Sequence, residues 1–237
     1  MKDTDTTRPG AGEAPADATA RRGPGAAVPR PESDRRDAHR QESGARRRDG
    51  GDHTAHPPHP DDTTENGTMT TWNVRTETTD DIPAIRDILL AAFPTGAEAD
   101  IVDALRADPG AWIGDLSMVA ATPEGDPVGY ALLSRCRVDG APALALAPCA
   151  VLPCAQRTGA GSAAIRAALE AARARGENLV LVLGHADYYP RFGFVPASRF
   201  GIRPPFDVPD EAMMALALDG DRAVPTGTIG YPAAFGV

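Results

Sequence analysis

The residues best suited to chemistry are Gln156-Arg157-Thr158-Gly159-Ala160-Gly161, followed by Ser162. They come after an apolar run over 143–152, closed by Pro153, and they open a helical pattern. A glycine-opened helix start leaves backbone N–H groups unpaired, which makes a ready site for a pyrophosphate. Gly159 and Gly161 remove side chains where a ligand must approach the backbone, and Arg157 supplies positive charge.

The elements around this loop must hold it in place. Ile165, Ala168, Leu169 and Ala172 share one helical face, and Arg166, Glu170 and Arg173 share the other. Gly176 supplies the C-cap. The segment therefore reads as strand, phosphate loop, amphipathic helix. Gly159-x-Gly161-x-x-Ala164 also satisfies the loose dinucleotide fingerprint, but its required context is missing. Residues 153–158 separate strand from glycine, and the next strand, Leu179–Leu183, ends at Gly184-His185 instead of a carboxylate.

Gln-x-x-Gly-x-Gly after an apolar strand resembles the acetyl-CoA loop of the GNAT superfamily of N-acetyltransferases. Asp187-Tyr188-Tyr189-Pro190-Arg191-Phe192-Gly193-Phe194 is similar to the Tyr-x-x-x-Gly-Phe segment that closes the cofactor cleft there. The wording from Leu183-Gly184-His185 to Phe194-Val195-Pro196, with the late Gly230-Tyr231-Pro232-Ala233-Ala234-Phe235, resembles the YhbS-like bacterial subgroup. The resemblance covers roughly residues 72–235.

It implies a mixed α/β sheet of the acyl-CoA N-acyltransferase kind, with helices on both faces and a fourth and fifth strand that splay apart. It also implies acetyl-CoA as co-substrate, with no metal. Arg157, Thr158, Gly159, Ala160, Gly161 and Ser162 would present backbone N–H groups to the pyrophosphate, beside Gln156. Ala150 and Val151 would pair their backbone with the pantetheine amides. Tyr189 aligns with the tyrosine near the cofactor sulfur, so it is the expected acid for the leaving thiolate; simple packing against the cofactor is its alternative.

Composition divides the chain. Residues 1–68 have no aromatic residue, and they hold 8 of the 23 prolines, 11 of the 24 Lys+Arg and 13 of the 33 Asp+Glu. Such a segment buries too little apolar surface to offset ordering entropy of roughly 1–2 kcal/mol per residue, so it is expected to be disordered. Its arginine cluster is interleaved with acids, and its His53, His56 and His59 sit among prolines. Met69 offers an alternative start just ahead of the first strand. Residues 69–237 form the expected domain, with 13 basic and 20 acidic residues for a net of −7, which argues against a nucleic-acid surface.

No apolar run approaches the ~20 residues that cross a bilayer. A secretory profile is also missing, so a cytoplasmic location is expected. Cys136, Cys149 and Cys154 form no Cys-x-x-Cys pair, so neither a disulfide framework nor a zinc knuckle is indicated. Cys136 and Cys149 read as inert core thiols, and Cys154 lies in the turn before the loop.

Apolar spacing predicts strands at 72–77, 117–122, 128–138, 143–152, Leu179–Leu183, from 194, and at 213–218. Thr78-Thr79-Asp80 starts a helix with Ile82, Ile85, Ile88 and Leu89 inward, and a second helix from Glu98 places Ile101, Ala104 and Leu105 inward. A short helix at 188–192, capped by Asp187, follows the fifth strand. Pro148 inside the fourth strand suits a place where pairing stops.

Acetyl transfer also needs a base. Glu98, His185, Asp187 and Glu211 are the candidates, a water chain to solvent would also serve, and Glu98 is suited to meet an ammonium. The expected acceptor is a small-molecule amine or a protein amino group, with no nucleic acid or membrane partner. Homodimerisation is left open. A non-catalytic acyl-CoA-binding sensor is the alternative, and a purely structural partner-binding domain is a third class that predicts no cofactor affinity.

Overall fold

Proline and glycine punctuate the chain where its elements end, and the computed structural model, which describes residues 72–237, follows that punctuation. Strand β1 (Asn73–Thr76) leads through a 3-10 turn into α1 (Ile82–Ala92) and α2 (Ala97–Arg106). Strands β2 (Ser117–Ala121), β3 (Pro127–Val138) and β4 (Ala141–Val151) form a meander, and α3 (Ala160–Ala174) returns the chain to β5 (Leu179–Leu183). Strands β6 (Val195–Pro196), β7 (Ile202–Arg203), β8 (Met213–Ala217) and β9 (Gly227–Gly230) complete the order. The expected disordered segment 1–68, with its arginines and histidines, lies outside the described residues.

The main sheet runs β1-β2-β3-β4-β5-β8-β6, and β9 adds to the far end of β3 with β7 beside it. Among the described residues, only β4–β5 and β7–β9 are parallel pairs. Helix α3 covers one face through Ala164, Ile165, Ala168, Leu169 and Ala172. Helices α1 and α2 cover the other through Ile85, Ile88, Leu89, Val102 and Leu105. A further apolar cluster, with Ala143, Ala145, Leu181, Met213 and Ala215, extends that second face toward the C-terminus.

Several local expectations need correction. Helix α2 buries Ala99, Val102 and Leu105, whereas Ala104 is exposed and Ile101 half-buried. Its rotation is set by Arg106, drawn inward to a nearly buried Glu77 at 2.9 Å. Tyr130 and Ser117 hydroxyls also donate to that carboxylate. The 188–192 helix is a 3-10 turn, Tyr189–Phe192, preceded by Tyr188 and with no side-chain cap, so Asp187 is not its N-cap. Phe194 is buried ahead of β6 instead of starting it. Strands β7 and β9 were not expected, because two- and four-residue strands containing glycine and arginine carry no alternating pattern.

Candidate active site

Strands β4 and β5 share two rungs, Leu144–Val180 and Ala145–Leu181, and then part. Beyond them, among the described residues, β4 pairs only with β3 and β5 only with β8. The parting coincides with a bulge in which Ala147 and Pro148 face the single residue Leu132. Proline is tolerated there because no ladder donor is needed. The open edge of β4 thus carries Cys149, Ala150 and Val151.

The loop Gln156–Gly159 is solvent-exposed at the mouth of this gap. Arg157 and Gly159 both take left-handed backbone angles, with φ of 63° and 97°. Gly159 is the residue on which α3 begins, and its carbonyl accepts from Ala163 N–H at 2.9 Å. The N–H groups of Ala160, Gly161 and Ser162 belong to the first helical turn, where no intrahelical acceptor exists. Their shared direction and the helix dipole favour an anion.

Side chains brace the loop from below. Trp72 Nε1 donates to Thr158 O at 3.1 Å, Thr158 Oγ1 to Ala155 O at 2.6 Å, and Gln156 Nε2 to Val151 O at 3.3 Å. Gly161 lies against β4, where an added Cβ would stand 2.9 Å from Val151 Cγ2. Ser162 Oγ meets Tyr188 OH at 3.3 Å, which ties α3 to the following turn. Two guanidiniums flank that turn: Arg191 lies 4.5 Å over Tyr188, and Arg166 lies 5.2 Å over Phe192. Tyr188 is half-buried and also closes the loop.

Tyr189 is half-buried against the apolar core. Its ring meets Tyr188 edge-on at 5.2 Å and Phe194 at 5.8 Å, and it lies against Gly184. Cys149, on β4, packs with it in the same apolar cluster. Burial raises the phenol pKa well above its ordinary value, with Cys149 and Tyr188 adding to the shift. The same burial pushes the thiols of Cys149 and Cys136 up to about 12. The phenol and both thiols therefore stay protonated near neutrality, and Cys154 is exposed.

The structure brings Ala150, Val151, Gln156 to Ser162, and Tyr189 to one region. His185, Asp187 and Glu211 are exposed, and the His185 carbonyl accepts from Tyr188 N–H at 3.0 Å. Glu98 differs: it is half-buried on α2, and its Oε2 is buried. Trp72, Cys149 and Gly184 were missed as site residues. Only Gly184, a glycine directly after a strand and before the tyrosines, carried a signal in the sequence.

Residues 82–194 match the acetyltransferase (GNAT) family. The chain is 37% identical over 156 residues to YjhQ of Escherichia coli K12, an uncharacterised N-acetyltransferase, spanning 64% of this chain and 85% of that protein. The crystal structure of YhbS from Escherichia coli in complex with CoA is similar with a TM-score of 0.65 and 28% identity, over 70% of this chain and 92% of that one. A GNAT family acetyltransferase from Brucella melitensis in complex with acetyl-CoA is similar with a TM-score of 0.57 and 30% identity, over 70% and 99%.

Proposed function

We propose that this chain, which belongs to the GNAT family of acetyltransferases, moves an acetyl group from acetyl-CoA directly to a primary amine of a small molecule or a protein. The carrying observation is the left-handed glycine loop at the head of α3, set at the mouth of the β4–β5 parting. The residues fit such a co-substrate. Exposed backbone donors and a helix N-terminus suit a pyrophosphate, and the unpaired edge of β4 offers Ala150 and Val151 to an amide-bearing arm. The relatives that bind CoA or acetyl-CoA support the same reading.

In this reading Gln156 holds the loop to the strand end, and Arg157 through Ser162 bind phosphate oxygens. Bound acetyl-CoA supplies an activated thioester whose carbonyl carbon the amine attacks. A backbone N–H at the parting polarises that carbonyl. Tyr189, kept protonated by burial, donates to the departing sulfur, and the amine's own proton leaves to a base. The proton count balances, because the thiol gains one and the amine loses one.

The test is calorimetric titration of the full chain with acetyl-CoA, repeated on Gly159→Glu. Binding that the substitution abolishes supports the cofactor reading, and release of CoA thiol over an amine panel then separates an enzyme from a sensor. Wild type that fails to bind overturns the reading.

A further inference from the structure

Among the described residues, two buried side-chain oxygens have no hydrogen-bond partner, Glu98 Oε2 and Ser134 Oγ. Native interiors rarely leave such atoms unpaired, so each asks for a reason. Strand register locates the second. Ser134 sits opposite Ala145, and Ala145 opposite Leu181, the last rung before β4 and β5 part. Directly paired residues share a face of the sheet. Ala145 and Leu181 belong to the cluster on the face away from α3, so Ser134 looks onto that face too.

Glu98 lies on the same side. Helix α2 belongs to the core of that face, and Glu98, Val102 and Leu105 follow helical spacing along it. The helix packs against the terminal 3-10 turn Ala233–Phe235. Phe235 joins both apolar clusters of this face. Tyr231 stands 5.3 Å from Phe235, and Phe206 stacks on Tyr231 at 6.1 Å and 17°. All three rings are half-buried and keep aromatic surface open.

The phosphate loop and α3 take one side of the parting, which leaves this one to the acceptor. Resting on the acetyl-transfer reading above, we infer that the acceptor is a primary amine on an apolar or aromatic body with no carboxylate beside the amine, its ammonium bound by Glu98. A carboxylate and a hydroxyl oxygen accept from an ammonium, which has three N–H donors and no acceptor. Aromatic faces attract a cation and an apolar body alike. A carboxylate next to the amine would be repelled by Glu98, which disfavours free α-amino acids.

Phenethylamine and phenylalanine differ by that carboxylate and make a matched test. The full chain is assayed with acetyl-CoA for CoA thiol release, with acetyl-CoA affinity measured alongside. Phenethylamine is expected to turn over with kcat/KM about 100-fold above phenylalanine. Glu98→Gln should raise KM for phenethylamine about 10- to 100-fold while acetyl-CoA affinity holds, which also shows that the variant is folded. Glu98→Asp should recover part of the loss. Phenylalanine turning over as well as phenethylamine, an unmoved KM in Glu98→Gln, or acetyl-CoA binding without phenethylamine turnover overturns the inference and leaves the cofactor reading standing. Failure to bind acetyl-CoA removes both.

Discussion

The ring of Tyr189 occupies the space that a side chain at Gly184 would need: a Cβ there would overlap Cε2 of the ring. The ring cannot simply swing aside, because Tyr188 and Phe194 hold its edges at 5.2 and 5.8 Å. Gly184 is thus a positioning residue for the Tyr189 hydroxyl, acting from the end of β5. Gly184→Ala should lower kcat about as far as Tyr189→Phe does, on the order of 100-fold for a lost general acid. The double variant should be no worse than either single one, while acetyl-CoA affinity stays within about twofold. Additive losses in steady-state kinetics would separate the two residues.

The loop at 156–161 should be sensitive at both glycines for different reasons. Gly159 adopts a φ of 97°, a region that costs a side-chain-bearing residue about 1–2 kcal/mol. Gly161 instead lacks room, with Val151 Cγ2 only 2.9 Å from an added Cβ. Gly159→Ala should weaken acetyl-CoA binding about tenfold as the loop relaxes away from its donors. Gly161→Val should weaken it further, because β4 and α3 must separate. Titration calorimetry ranks the two.

Glu77 gathers Arg106, Ser117 and Tyr130 beneath α2, and its side chain is 8% exposed against 14% for Arg106. Breaking such a pair strands a charge out of water. Arg106→Met should cost about 3–5 kcal/mol of stability. Tyr130→Phe, which removes one donor but keeps the packed ring, should cost about 1–2 kcal/mol. Urea midpoints provide the comparison.

Acid should weaken the fold partly through one carboxylate. Hydrogen bonds from Arg75, at 2.6 and 2.8 Å, hold Asp81 far below the usual carboxylate range, helped by the Thr78 N–H and hydroxyl. A lowered folded-state pKa means that this stabilisation is complete above the unfolded value of about 4 and fades as pH falls below it. Asp81→Asn should flatten the stability-versus-pH curve below pH ~4 and lower the plateau above it. An unchanged acid limb in denaturation measured across pH would contradict this.

Thiol reactivity should follow burial. Cys154 is exposed, whereas Cys136 and Cys149 have pKa values raised to about 12. One thiol of the folded chain should react quickly with a disulfide reagent at pH ~8, and Cys154→Ser should remove that phase. Two fast thiols would mean that Cys149 is opened in solution.

Much of the site was legible because its signals are short-range. Gln156 to Gly161 between an apolar strand and an amphipathic helix encodes its own turn, and Ile165, Ala168, Leu169 and Ala172 form the buried stripe that their spacing predicts. Strand β5 spans Leu179–Leu183 as read, and Pro148 falls at the bulge where pairing ends. The short-range signals failed where a distant partner set the outcome. The rotation of α2 depends on Glu77, 29 positions before Arg106. Strand β9 exists because β3 offers it an edge at Arg137 and Val138.

The sequence by itself determined the glycine loop, the helix behind it, the strand order up to β5 and the membership these features imply, since each rests on residues a few positions apart. Tertiary structure alone decided that Tyr189 lies against Gly184, that Ser134 and Glu98 share the face away from α3, and that Phe206, Tyr231 and Phe235 gather there. Those relations depend on strand register and on which helix face turns inward. Both are settled by packing among residues far apart in the chain, and no local spacing records them.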